Sequence, residues 1–122
     1  LIDPYGGVRV FNGRMDYQLY GEGYANIPQR TVAHLVQGAA LKIDDELGGD
    51  AETMWITEKH DALYLQVPEN NWRPYAMLMK KHMEAVIDFS TYCTLKRDIK
   101  IIIPCDIEMS NTDYAHFEKV KL

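Results

Sequence analysis

Apolar residues recur at helical spacing in the first half of the chain. Between Gln29 and Leu47 they fall three or four positions apart, which places them on one face of a helix of about five turns. These positions are Val32, Leu35, Val36, Ala39, Ile43 and Leu47. Pro28 suits the first turn, where a missing N–H costs little, and Gly48-Gly49 is a typical helix end. The sequence therefore predicts an amphipathic helix here.

A second helical face follows later in the chain. Its apolar positions are Tyr75, Leu78, Met79, Met83, Val86 and Ile87. Their spacing again fits an amphipathic helix with one buried side. We expect this helix to cover the segment that lies between the two helices.

That intervening segment contains two short runs rich in β-branched and aromatic residues. MWITEK covers residues 54–59 and ALYLQV covers residues 62–67. Only His60 and Asp61 separate them, so we expect a tight hairpin with this pair at its tip. Pro68 ends the second strand because it cannot donate to a ladder.

The remaining segments give weaker patterns. Val8 to Phe11 predicts a short strand after a turn, and residues 12–23 predict a loop that could include one helical turn. Asp98 to Met109 predicts a strand that is interrupted or bent at Pro104 and therefore lies at a sheet edge. Residues 110–122 predict no element. The expected fold is a single α+β domain over residues 1–122: an antiparallel sheet with a central β-hairpin and two amphipathic helices packed on one face.

Composition narrows the possible functions. The chain has 122 residues and is 47% hydrophobic. Its formal net charge is −5, whereas a surface that binds nucleic-acid phosphate by itself is usually basic. No apolar stretch approaches the roughly 20 residues of a membrane span, so we expect no membrane contact. Cys93 and Cys105 lack metal-ligand spacing. They fit reduced thiols and a cytoplasmic location.

The His60-Asp61 pair has two interpretations. Asp is common in tight turns, where it bonds to nearby backbone, and a neighbouring His is often only solvated. Alternatively, a carboxylate on a rigid hairpin tip is well placed to bind Mg²⁺, which takes oxygen ligands. Such a site needs a second carboxylate close by.

The longer pattern resembles a known family. The runs NIPQRTVAHLVQGAAL, KHDALYLQVP and IPCDIEM occur here in that order. They resemble the C-terminal part of the palm of family A DNA polymerases, the group that includes bacterial polymerase I and many phage replicative enzymes. The resemblance extends from about Asp3 to Asp113.

This resemblance implies roles for individual residues. Asp61 would be a ligand of the two catalytic Mg²⁺ ions, and His60 would pack beside the primer terminus. Gln29 would contact the minor groove near the primer end, where acceptors are common to all correct pairs. Independently of the resemblance, Arg9, Arg14 and Arg30 could bind phosphate or be only solvated, and we expect DNA contact from Arg30 because it follows Gln29 at the helix start.

Other features depart from the family pattern. Ala62 stands where many relatives have Glu, and Gly21 stands where relatives carry an arginine. The DYSQIE-type strand with the second catalytic aspartate, the fingers helix and the thumb are not recognisable in this sequence. Because the chain starts at Leu1 rather than Met, we expect one piece of a split, processed or longer polymerase that is inactive alone.

The expected partners are the remaining polymerase fragment or chain, primer-template DNA and a dNTP. One alternative is a non-catalytic binding or structural module derived from a polymerase. Another is an unrelated α+β domain in which His60-Asp61 is only a turn. A companion coding sequence with the missing motifs would favour the enzyme.

Overall fold

The computed structural model describes residues 5–88, 99–113 and 115–122. These residues belong to two compact units. One comprises Leu1–Leu35 and Val86–Ile101, and the other comprises Val36–Ala85 and Ile102–Leu122. Cys93 lies outside the described residues, as do Asp98 and the chain start. Within the described ranges, no helix combines the length and the apolar content that crossing a membrane requires.

Helix α1 extends from Tyr17 to Leu47 and is longer than the sequence predicts. The predicted loop is confirmed for residues 12–16, but residues 17–23 belong to the helix. Asp16 caps this end: its Oδ1 accepts the Leu19 N–H at 2.9 Å. Such a bond satisfies one of the N–H groups that every helix start leaves without a partner.

Pro28 consequently lies inside α1 rather than in its first turn. A proline there removes one i to i−4 hydrogen bond and crowds the carbonyl one turn earlier. Close to this position, the Thr31 hydroxyl donates to the Ile27 carbonyl at 2.7 Å. The predicted end of the helix is confirmed, since Gly48 and Gly49 adopt φ values of 59° and 77°.

Strands β1 (Met54–Lys59) and β2 (Ala62–Gln66) form the predicted antiparallel hairpin. Lys59 pairs with Ala62, which leaves a loop of two residues. The register shifts between Trp55 and Thr57, so Ile56 is an extra residue in β1. A bulge of this kind bends its strand and increases the local twist.

Helix α2 covers Trp72–Met83 and follows a 3₁₀ turn at Glu69–Asn71. The predicted helix is confirmed over this range, but the extension of its apolar face to Val86 and Ile87 is wrong. Ile87 belongs to strand β3 instead. The helix ends at Met83 because Glu84 leaves the helical conformation, with φ −100° and ψ 15°.

The remaining strands form two more antiparallel pairs. In one unit, β3 (Ile87–Asp88) pairs with β4 (Lys100–Ile101). In the other, β5 (Ile107–Met109) pairs with β6 (Glu118–Val120), although the sequence predicted no element for β6. The strand predicted over Val8 to Phe11 is reduced to a single bridge residue, Val8.

The α+β class is confirmed, with two helices and antiparallel pairing throughout the described residues. The strands there form three two-stranded sheets rather than one sheet. The break between β4 and β5 falls at Pro104, which cannot donate to a ladder. The interruption that the sequence predicted at this proline is therefore confirmed.

The buried residues that α1 contributes to the second unit follow the predicted helical periodicity, whereas the buried residue of α2 was not among its predicted apolar positions. Val36, Ala39 and Ile43 are buried along α1, and Ala76 is buried on α2. Ile43 is fully enclosed. The predicted apolar face of α1 is thus its core face in this unit.

Candidate functional site at the hairpin tip

The tip of the β1–β2 hairpin is a two-residue turn with an unusual backbone. His60 has φ 56° and is the non-glycine residue with positive φ among the described residues. A turn in which the first central residue has positive φ and the second does not has the φ pattern of type II′, which normally places Gly first. The backbone conformation at position 60 therefore favours glycine, although the residue there is histidine.

Asp61 occupies the second central position and is exposed. Strands on both sides hold it, because Glu58 pairs with Leu63 and Lys59 pairs with Ala62. The structure therefore places His60 and Asp61 next to each other at the end of a short, paired hairpin, as the sequence predicts.

Two charged side chains at the C-terminal end of α2, one in its last turn and one just after it, bind the backbone of Cys105. Glu84 Oε1 accepts the Cys105 N–H at 2.7 Å, and Lys80 Nζ donates to the Cys105 carbonyl at 3.2 Å. Lys80 and Glu84 are also ion-paired at 3.3 Å. We call these three residues the Cys105 clamp. Its side chains satisfy both backbone groups of Cys105, so this residue needs no neighbouring strand.

Electrostatic effects connect the clamp to the hairpin tip. Partial burial raises the pKa of the Cys105 thiol, and the negative charge of Glu84 raises it further. Asp61 contributes to the same increase, so its carboxylate lies within electrostatic range of the thiol. Cys105 is a free, half-buried thiol and is more weakly acidic than usual.

The carboxylates of the clamp region have protein partners. The Cys105 N–H lowers the pKa of Glu84, and Lys80 adds to this effect. Lys119 Nζ lies 2.8 Å from Asp106 Oδ2 and lowers the pKa of Asp106. Both carboxylates are held in their charged form by contacts within the chain.

Side-chain hydrogen bonds from α1 hold the base of the hairpin. The Trp55 indole N–H donates to Asp44 Oδ1 at 3.0 Å. Closer to the tip, Gln37 Nε2 lies 3.4 Å from Glu58 Oε1. On the other strand, the Tyr64 ring meets Phe117 edge to face at 5.9 Å between centroids. The hairpin is thus supported along its length rather than at its base alone.

Two further carboxylates join α1 and its following turn to α2. Glu46 Oε1 accepts from Lys81 at 2.9 Å and from His82 at 2.8 Å, and these bonds lower its pKa. The Tyr75 hydroxyl donates to Asp50 Oδ2 at 2.7 Å. The Glu52 N–H and the Tyr75 hydroxyl lower the pKa of Asp50, while Asp50 raises that of Tyr75. We interpret these groups as structural.

The predicted DNA contacts lie elsewhere in the chain. Gln29 and Arg30 follow Pro28 in the part of α1 that belongs to the first unit. The Gln29 side chain is exposed and Arg30 is half-buried. They are adjacent on the helix, and the roles predicted for them remain predictions.

The described residues do not form a complete magnesium site. They include no group of three or more His, Cys, Asp or Glu side chains that could hold a metal ion. Asp61 offers one exposed carboxylate, whereas Glu84 and Asp106 are bonded to lysines. Within the described residues, the exposed carboxylate at the hairpin tip is that of Asp61.

Sequence reasoning missed the clamp and the Asp106–Lys119 pair. Lys80 and Glu84 are four residues apart, which is a recognisable spacing for a helical ion pair. Nothing in the sequence indicates that this pair binds the backbone of Cys105, which lies 21 positions after Glu84.

No family model, curated protein or solved structure matches the chain.

Proposed function

We propose that this chain is the hairpin-bearing part of the palm of a family A DNA polymerase. In this proposal Asp61 provides one carboxylate of a shared Mg²⁺ site, and a companion polypeptide provides the other. The observation that carries it is the exposed Asp61 at the tip of a two-residue turn, beside His60 in a glycine-like conformation. The bound ions would neutralise the triphosphate and activate the primer 3′-hydroxyl.

The backbone of His60 supports a role beyond turn formation. A residue with a Cβ in the left-handed region costs about 1–2 kcal/mol, which glycine would avoid. Strained residues of this kind cluster at functional sites. An imidazole kept at such a position is expected to contact something outside the chain, and in the proposed enzyme this is the primer end.

The other residues have simpler tasks in the proposal. Gln29 donates to minor-groove acceptors that all correct base pairs share. Arg30 binds phosphate, and a companion chain supplies most of the cations because this chain carries a net charge of −5. A phage-encoded enzyme of this type would act in the cytoplasm of its host.

A non-catalytic module is the second candidate. Its support is that Glu84 and Asp106 already have partners within the chain, so neither of these two charges calls for a metal ion. A module of this origin would keep the fold and helix α1 with its proposed DNA contacts. Its function would not require the charge of Asp61.

Reconstitution distinguishes the two candidates. The chain is mixed with the companion polypeptide that carries the DYSQIE-type strand and the fingers helix, and extension of a labelled primer is measured with Mg²⁺. We expect activity only from the mixture. Asp61→Asn keeps the shape and removes the charge, so it should reduce extension by several orders of magnitude while complex formation and DNA binding persist.

Asp45→Asn is the matched control, because Asp45 is an exposed aspartate on α1. It should extend primers at the wild-type rate. Gln29→Ala should have a smaller effect than Asp61→Asn, since it removes a hydrogen bond worth about 1 kcal/mol. Equal extension by the wild-type and Asp61→Asn complexes would exclude the metal-ligand role and favour the module.

A further inference from the structure

The segment that leads into α1 contains the dipeptide Asn12-Gly13. Both residues are exposed and belong to no helix or strand, and Gly13 lies at a bend. Glycine has no Cβ, so its backbone nitrogen is open to the preceding side chain and its backbone reaches conformations that other residues avoid. This position therefore joins a side-chain amide to an unshielded backbone nitrogen.

An asparagine in such a position reacts with its own chain. The deprotonated backbone nitrogen of the next residue attacks the side-chain amide carbon, a cyclic imide closes, and the amide nitrogen leaves as ammonia. Water then opens the ring at either carbonyl. One product is aspartate, and the other is isoaspartate, whose backbone continues through the side-chain carbon. The sum is one water consumed and one ammonia released, without oxidation or reduction.

Most of the other asparagines lie where the fold opposes this reaction. They are Asn26, Asn70, Asn71 and Asn111. Asn26 is buried inside α1, where N–H groups generally bond to carbonyls one turn earlier. Asn70 is followed by an N–H that is already bonded, since Asn71 donates to the Pro68 carbonyl at 3.2 Å. Asn71 precedes Trp72, the bulky first residue of α2.

Asn111 is exposed like Asn12 and differs from it in the residue that follows. The Thr112 N–H donates to Ser110 Oγ at 3.3 Å, so this nitrogen is engaged. Thr112 is also β-branched, and its side chain shields the backbone nitrogen. Asn111 is therefore the internal reference for Asn12, with equal exposure and a protected neighbour.

We propose that Asn12-Gly13 is a self-modifying site, at which Asn12 converts to aspartate and isoaspartate without an enzyme. The proposal does not depend on the polymerase assignment. Each conversion adds one negative charge to a chain whose formal net charge is −5. The new carboxylate lies shortly before Asp16, the cap of α1. Because the N-terminal end of a helix favours negative charge, the aspartate product should leave the fold intact.

The full chain, incubated for days at physiological temperature and at several pH values, tests the proposal. Peptide mapping by mass spectrometry follows the conversion of amide to acid at each asparagine. Labelled methyl transfer by an isoaspartyl methyltransferase, used as a probe, counts the isoaspartate. We expect conversion of Asn12 at least about tenfold faster than that of Asn111, because only Asn12 precedes a glycine. The rate should rise with pH, since the attacking nitrogen is deprotonated.

Gly13→Ala tests the role of the unshielded nitrogen. Its Cβ would lie 3.3 Å from Leu19 Cδ1, the end of a flexible side chain, so alanine fits after a small shift. This variant should slow the conversion of Asn12 at least about tenfold. Gly21→Ala is the matched control, because Gly21 is exposed on α1 and a Cβ there would meet nothing within 4 Å. It should leave the rate at Asn12 unchanged.

Three results would overturn the proposal. The first is an Asn12 that stays intact in the folded chain while a short peptide of the same sequence reacts, since the fold would then protect it. The second is equal conversion in the wild type and in Gly13→Ala. The third is conversion to aspartate with no isoaspartate, which would indicate direct hydrolysis of the amide rather than ring closure.

Discussion

The left-handed backbone of His60 leads to a stability prediction with an unusual sign. His60→Gly and His60→Ala both remove the imidazole, but only the glycine variant removes the Cβ that crowds the backbone at φ 56°. Relief of this crowding is worth about 1–2 kcal/mol. The greater freedom of glycine in the unfolded chain offsets about 0.4–1 kcal/mol of it.

The glycine variant should therefore be more stable than the alanine variant by about 0.5–1 kcal/mol, or about 2–3 °C in Tm for a chain of this size. Urea and thermal unfolding followed by circular dichroism measure this difference. Lys59 provides the control because it lies in regular strand conformation beside the turn. There the order should reverse, with Lys59→Gly about 0.5–1 kcal/mol less stable than Lys59→Ala.

If His60→Ala is as stable as His60→Gly, the turn does not hold His60 in the left-handed region and the strain argument fails. The same two variants separate stability from function. Both lack the imidazole, so both should impair primer extension in the reconstituted polymerase to a similar degree, although their stabilities differ.

Two more predictions concern the core and the clamp. Ile43→Ala should lower the free energy of unfolding by about 2–5 kcal/mol in urea titrations because Ile43 is fully buried, whereas the same change at exposed Leu41 should have little effect. Glu84 has a lowered pKa in the folded chain, so its stabilising effect should be complete above its ordinary value of 4.5 and disappear as the pH falls through the lowered folded pKa. The stability gap between the wild type and Glu84→Gln should accordingly shrink below about pH 4.5. A gap that does not change with pH would exclude a charged Glu84 as the partner of Cys105.

The parts of the fold that the sequence predicted correctly are determined by residues close together in the chain. The hairpin follows from two β-rich runs separated by two residues, and the end of α1 follows from Gly48-Gly49. The N-terminal half of α1 was missed although Tyr17, Tyr20 and Tyr24 recur three or four residues apart. The glycines at positions 13, 21 and 23 are typical of a loop and obscured this spacing. Asp16 was the available signal, since it caps the helix through Leu19.

The candidate site was predictable only in part. His60 and Asp61 stand out because they are adjacent and lie between two strands. The Cys105 clamp was not predictable, because a side-chain pair at the C-terminal end of α2 bonds to the backbone of a distant segment. Of the breaks that leave three short sheets among the described residues, the one at Pro104 was indicated by the sequence.

Binding of Mn²⁺, as a paramagnetic substitute for Mg²⁺, tests the role of the hairpin tip most directly. In ¹⁵N-labelled chain, the amide signals of His60, Asp61 and Ala62 should broaden selectively on titration, with an affinity weaker than about 1 mM because one carboxylate leaves most of the ion's shell to water. The affinity should increase when the companion polypeptide is added, and Asp61→Asn should abolish the broadening in both cases. Broadening that spares the tip, or that persists in Asp61→Asn, would contradict the assignment of Asp61 as the metal ligand.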